Sequence, residues 1–133
     1  MSRIDKYEPM GGGFRAPLAA AIDSAHVGVV QAVSLNGSGR AVVGGAAAAI
    51  GIKGIICPVR VMAAGDIIDV MTDGEIVDFT DTSGTVVAAG TDVFAAFATG
   101  AVTATTTGTP QYVGHTVEGG AANATRLIVR VGR

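Results

Sequence analysis

The apolar residues of this chain come in short β-branched runs, and that limits the fold more than any other feature. Residues 27–34, 50–57, 66–71, 75–80, 112–118 and 125–131 are rich in Val, Ile and Thr. Each run meets glycine, proline, asparagine or aspartate within a few residues. β-Branched side chains fit a pleated surface better than a helix. No run sustains helical spacing over the roughly ten residues a packed helix needs. Short strands with turn signals every ~8–12 residues mean an all-β fold. The sequence predicts a small single-domain β-barrel or sandwich of short antiparallel strands, with an extended N-terminal arm. With 133 residues, one domain is expected.

Two turns are especially legible. Asn36-Gly37-Ser38-Gly39 predicts a hairpin after the run 27–34. Thr72-Asp73-Gly74 predicts a second, joining 66–71 to 75–80, with Ile68 and Val70 sharing a face with Val77 and Phe79. Asp81-Thr82-Ser83-Gly84 reads as a further turn. In 50–57, Ile50, Ile52, Gly54 and Ile56 fall on one face, and Pro58 ends the strand. Near the C-terminus Leu127, Val129 and Val131 alternate with Arg126, Ile128 and Arg130. Residues 101–107 read as a weak edge strand. One helical turn or a loop is expected within 18–26, and one helical turn within 92–98.

Residues 1–17 lack either period. They hold two prolines, three consecutive glycines and five charges, yet also Ile4, Tyr7, Met10 and Phe14. Glycine supplies no side chain for a core and loses the most entropy on ordering. Such a segment reads as an arm ordered against another surface, or as a simple tail. The expected division is therefore an arm at 1–17 and a β-domain at 18–133. Arg3, Ile4, Tyr7, Phe14 and Arg15 are the candidate contact residues, since aromatics and arginine dominate interface energies.

Charge is sparse, at 15% of residues, and it is segregated. Residues 61–125 carry eight acids and no Lys or Arg, whereas Arg126, Arg130 and Arg133 follow. Residues 1–60 carry six basic and three acidic side chains. An acidic middle with basic ends suits copies that meet opposite sign to opposite sign, with Asp66, Asp69, Asp78, Arg126 and Arg130 as candidate contacts. It equally suits ends that fold back onto the middle of the same chain. Both arrangements stay open at this level.

Catalytic motifs are not found. Gly11-Gly12-Gly13 lacks the Lys-Ser/Thr of a phosphate loop. His26 and His115 have no second ligand at metal spacing, so no metal or cofactor is expected. His115 alternates with Val113 and Val117 and reads as a structural residue. The lone Cys57, among Ile55, Ile56 and Val59, is expected to be a buried inert thiol. The acids around 66–78 resemble a solvated edge that discourages strand aggregation more than a glycosidase pair or a calcium loop. Basic residues are not interleaved with aromatics, which argues against nucleic acid. No secretory leader and no membrane span are expected.

The opening Arg3-Ile-Asp-Lys-Tyr-Glu-Pro-Met-Gly-Gly-Gly-Phe-Arg-Ala-Pro-Leu18 resembles the start of head decoration, or capsid cement, proteins of tailed bacteriophages, particularly those infecting actinobacteria. The run Ala64-Gly-Asp-Ile-Ile-Asp-Val-Met-Thr-Asp-Gly-Glu-Ile-Val-Asp-Phe79 and the ending Arg126-Leu-Ile-Val-Arg-Val-Gly-Arg133 are similar to the same group. The resemblance implies a non-enzymatic, β-rich virion protein on the outer surface of an icosahedral capsid. Its partners would be the major capsid protein and further copies of itself, often in a trimer. It brings no active site. Two other classes compete with it: a β-barrel carbohydrate- or small-ligand-binding module, and a small hydrolase using the acids at 66–78.

Overall fold

The computed structural model describes residues 12–45, 51–79, 89–104, 110–117 and 125–131, with backbone alone for 77–79 and 125. Among the described residues ten strands occur: β1 (Gly13–Pro17), β2 (Gln31–Leu35), β3 (Ala41–Val43), β4 (Gly54–Ile56), β5 (Ile67–Met71), β6 (Asp73–Phe79), β7 (Asp92–Ala95), β8 (Val102–Thr103), β9 (Gln111–Val117) and β10 (Thr125–Arg130). They build two five-stranded antiparallel sheets, ordered β1-β5-β4-β2-β3 and β6-β10-β9-β7-β8. The all-β expectation holds. The helical turn expected within 18–26 is a 3-10 turn at Ser24–His26.

The first sheet closes on itself. Leu18, just beyond β1, makes a parallel bridge with Ala41 of β3, and the Ala19 N–H donates to the Ala41 carbonyl at 2.9 Å. The two edges of the sheet thereby meet, which spares both an open ladder. The small barrel so formed is filled by Ala16, Leu18, Ile22, Val33, Ala41, Ile56, Met62 and Val70. Its outward residues Ala32, Ile52 and Ile55 pack against Val93, Ala95, Val102, Val113, Leu127, Val129 and Val131 of the second sheet and its flank. Each large aliphatic side chain fully buried there contributes about 1.5–3 kcal/mol.

β2–β3 is the hairpin expected at Asn36. The Asn36 side-chain oxygen accepts from the Ser38 and Arg40 N–H groups at 2.9 and 3.0 Å, which holds the turn. The second expected hairpin is not one. β5 belongs to the first sheet and β6 to the second, and the chain changes sheets at Thr72. The Thr72 and Asp73 N–H groups donate to the Gly12 carbonyl, and the Thr72 carbonyl accepts from Val131. Donors that a hairpin would pair across its own turn are satisfied by distant strands, so Asp73-Gly74 is free to begin β6 opposite Arg130 and Val129. Of the face expected for that hairpin, Ile68 and Val70 do share the barrel interior, and the Val77 and Phe79 side chains lie outside the described residues.

Other local readings divide similarly. Ile55 and Ile56 point to opposite layers, because β4 is buried on both faces, so Ile52 shares its layer with Ile55 rather than Ile56. Residues 92–95 form β7 rather than a helical turn, since Val93 and Ala95 alternate inward at period two. β8 is the edge strand expected in 101–107, and Leu127, Val129 and Val131 do face the core together. The turn expected at Asp81–Gly84 lies outside the described residues.

Candidate functional site

β1 positions the first group of expected contact residues. Gly13 to Pro17 pair in register with Met71 to Ile67 of β5. Gly13 is needed there, because a Cβ would sit 2.2 Å from the Val70 carbonyl oxygen. Ala16 is buried in the barrel and Phe14 packs against its core. The segment expected to be wholly an arm is thus part of the barrel wall from Gly13 onward. Arg3, Ile4 and Tyr7 lie outside the described residues.

Next to this edge strand, where the chain changes sheets, lies a cleft of about 600 Å³. Its lining includes Gly12, Phe14, Ile55, Met71 and Ile76, together with Arg15, Asp69 and Asp73. Most of these residues are apolar and the charged ones are of both signs, which suits an apolar side chain carried on a polypeptide. Cys57 also lines it. Contrary to expectation this residue is exposed, because β4 ends at Ile56 and the chain leaves the barrel wall there. Desolvation at that wall still pushes its thiol above the ordinary value, which opposes thiolate formation.

The expected charged contacts are placed as follows. Arg15 Nε donates to Asp69 at 2.9 Å, directly across the β1–β5 ladder. Asp66 accepts from the Ala63 N–H at 2.9 Å and lies 3.8 Å from Arg60. Arg126 pairs with Glu75, and Arg130 stands opposite Asp73 in the β10–β6 register. The Asp78 side chain lies outside the described residues. Three of these pairs, Arg15–Asp69, Arg60–Asp66 and Arg126–Glu75, therefore join a basic end to the acidic middle of the same chain. Such exposed pairs contribute only about 0–1 kcal/mol each.

A second cavity, of about 250 Å³, opens at the mouth of the barrel. Its wall is Ala19, Ala20, Ala21, Val42 and Val43, and Asp23, His26 and Gln31 supply its polar groups. His26 Nδ1 lies 2.6 Å from Asp23 Oδ1, and this hydrogen bond holds the Asp23 carboxyl below its ordinary value. An acceptor-only carboxylate makes Nδ1 the donor. Gln31 Oε1 is buried without a hydrogen-bond partner among the described residues. Sequence reading missed this group. The signal was present: Gln31 sits two residues before Val33, in the inward register of β2.

His115 lies on β9 between Asp92 and Ile128 of the flanking strands, within 3.4 Å of the Tyr112 hydroxyl. No group of three or more His, Cys, Asp or Glu among the described residues is arranged to hold a metal ion.

No protein-family model matches the sequence, and no curated protein matches it. Among solved structures, a chain from Mycobacterium phage Patience is similar, with a TM-score of 0.74 and 23% identity. The likeness covers 97% of this chain and 95% of that one, so the two share a fold from end to end.

Proposed function

We propose that this chain is a non-enzymatic structural protein of a phage virion, bound to the outside of an icosahedral capsid, where it cements neighbouring capsomers. The observation that carries the reading is the shared fold with a phage chain over nearly the whole length of both. The resemblance of residues 3–18 to the opening of capsid decoration proteins points the same way. The partners are the major capsid protein and further copies of this chain, most simply as a trimer. Its mechanism is binding: modest contacts repeated around a shell gain strength through effective concentration.

Residues 1–11 precede Gly12, which lines the 600 Å³ cleft. In this reading they carry the main capsid contacts through Arg3, Ile4 and Tyr7, and the edge strand β1 with Arg15 presents them. The test mixes protein with undecorated heads and counts copies that sediment with them. Full-length protein is expected to saturate a fixed number of sites, and a variant lacking residues 1–11 to bind far fewer. Equal binding by both proteins removes the arm from the mechanism. Absence of binding by the full-length chain removes the capsid reading altogether. Equilibrium sedimentation, with and without heads, reports the oligomer.

A further inference from the structure

The 600 Å³ cleft is lined by three large apolar side chains that the fold leaves only partly buried. Phe14 comes from β1, Met71 from β5 and Ile76 from β6. Apolar side chains left half-covered around one space gain further burial from an apolar occupant. Two of the charged lining residues, Arg15 and Asp69, are already bonded to each other at 2.9 Å. Gly12 is itself part of the lining. Its carbonyl accepts from the Thr72 and Asp73 N–H groups at 2.8 and 3.1 Å, and a Cβ there would lie 2.6 Å from the Asp73 carbonyl oxygen. The residue to which the segment 1–11 is joined is thus held at the cleft. Its φ of +105° is open to glycine and to few other residues, so the chain can change direction at that point.

We infer that this cleft takes residues 4–10 of the same chain, with Ile4, Tyr7 and Met10 as the buried side chains. These three recur at every third position. An extended chain with three residues per turn brings such positions onto one side, and Pro9 favours that conformation for itself and for Glu8. Met10 is two residues from Gly12, about 7 Å of chain, so it reaches the cleft with no linker to span. Tyr7 and Ile4 follow within about 28 Å. The segment's charges, Arg3, Asp5, Lys6 and Glu8, cancel, so a lining with both signs does not repel it. Its own tether gives it the effective concentration that a second copy's segment lacks. A small polar ligand would need convergent polar groups, and the Arg15–Asp69 pair is already made. Docked in this way, Tyr7 and its neighbours are sheltered until a partner draws them out, and a partner that takes Tyr7 competes with the cleft. The site goes beyond the capsid reading and does not depend on it.

The test uses the full chain with ¹³C-labelled isoleucine and methionine methyl groups. It compares wild type with a variant carrying Tyr7→Ser and Met10→Ser, positions that precede every strand of the two sheets. The methyl signals of Ile55, Met71 and Ile76 are expected to shift, while those of Ile22 and Met62 in the barrel interior stay in place. Cys57, which also lines the cleft, is expected to be alkylated roughly tenfold faster in the variant, a difference of about 1.4 kcal/mol. A synthetic peptide of residues 1–11 added to the variant should reverse both changes and saturate. Unchanged methyl signals overturn the proposal, whatever the alkylation rate. So does a peptide that shifts Ile22 and Met62 instead of Met71 and Ile76. Protection of Cys57 that grows with protein concentration makes a second copy the occupant and overturns the own-chain assignment. No capsid is present, so these results leave the capsid reading to its own sedimentation test.

Discussion

The side-chain amide of Gln111 takes both backbone groups of Ile52. The Ile52 N–H donates to Gln111 Oε1 at 2.8 Å, and Gln111 Nε2 donates to the Ile52 carbonyl at 3.0 Å. Gln111 opens β9 in the second sheet, and Ile52 lies beside the barrel formed by the first. One side chain thus does the work of a strand where the two layers have no shared ladder. It satisfies a part-buried peptide that would otherwise lose both its partners.

Gln111→Leu is therefore expected to cost about 1–3 kcal/mol, since it strands one donor and one acceptor of Ile52. Urea unfolding should show a lower midpoint with an unchanged slope. Gln111→Glu keeps the acceptor and loses the donor, so it should fall between wild type and Gln111→Leu. A Leu variant as stable as wild type would show that water replaces the amide without loss.

Gly44 and Gly100 bring backbones from the two layers into contact. A Cβ at Gly100 would lie 2.7 Å from the Ala32 carbonyl oxygen and 2.9 Å from the Gly44 nitrogen, and φ there is +75°. Both obstacles are backbone, so neither can swing aside. Gly100→Ala is expected to destabilise by about 1–3 kcal/mol or more, through clash and left-handed strain together. Gly90 is the control, with φ of +79° and open space around its Cβ position. Gly90→Ala should cost only the conformational part. Equal losses in thermal unfolding would mean that close approach contributes nothing.

The strand content and the inward faces were legible because period-two alternation acts locally. Leu127, Val129 and Val131 are the plainest case, and the Asn36 turn another, since its side chain bonds its own backbone. The Thr72–Gly74 corner was not legible. Asp-Gly permits a hairpin, but Gly12 and Val131, far away in sequence, take the turn's hydrogen bonds. Residues 92–95 are ambiguous at four residues, and burial against the barrel decides for strand. The charge segregation was visible, yet composition does not say whether opposite signs meet within a chain. Arg15–Asp69 and Arg126–Glu75 meet within it. The Gln31 site needed the barrel to be closed before its burial could be recognised.

The position of β1 separates two truncations. Removing residues 1–11 leaves every ladder pair among the described residues of the first sheet in place. Cooperative unfolding should persist with little change in midpoint. Removal of residues 1–17 deletes β1, buried Ala16 and the packing of Phe14. It also opens the edge where Leu18 meets Ala41. The expected loss is several kcal/mol, a large share of the roughly 5–15 kcal/mol that holds a domain. Circular dichroism during urea titration measures both. Retained stability after the longer truncation would return β1 to the arm.

Cys57 gives a pH dependence whose sign is fixed. Desolvation raises its thiol pKa in the folded chain above the ordinary value of 9.0. The unfolded chain therefore gives up the thiol proton first as pH rises, and above that point it binds fewer protons than the native state. Stability from this group is fully present below the unfolded pKa and is lost as pH climbs through the folded one. Cys57→Ala removes the effect while leaving the lysines and tyrosines that titrate in the same range. The stability difference between wild type and Cys57→Ala should thus stay constant through neutral pH and move against wild type above about pH 9. The same shift makes alkylation by iodoacetamide slower than for a free thiol at pH 8, because only the thiolate attacks. A reaction as fast as that of a model thiol, with a flat difference curve, would mean that the cleft wall leaves this sulfur fully hydrated. Slow alkylation with a flat curve would instead assign the protection to steric access and not to the proton.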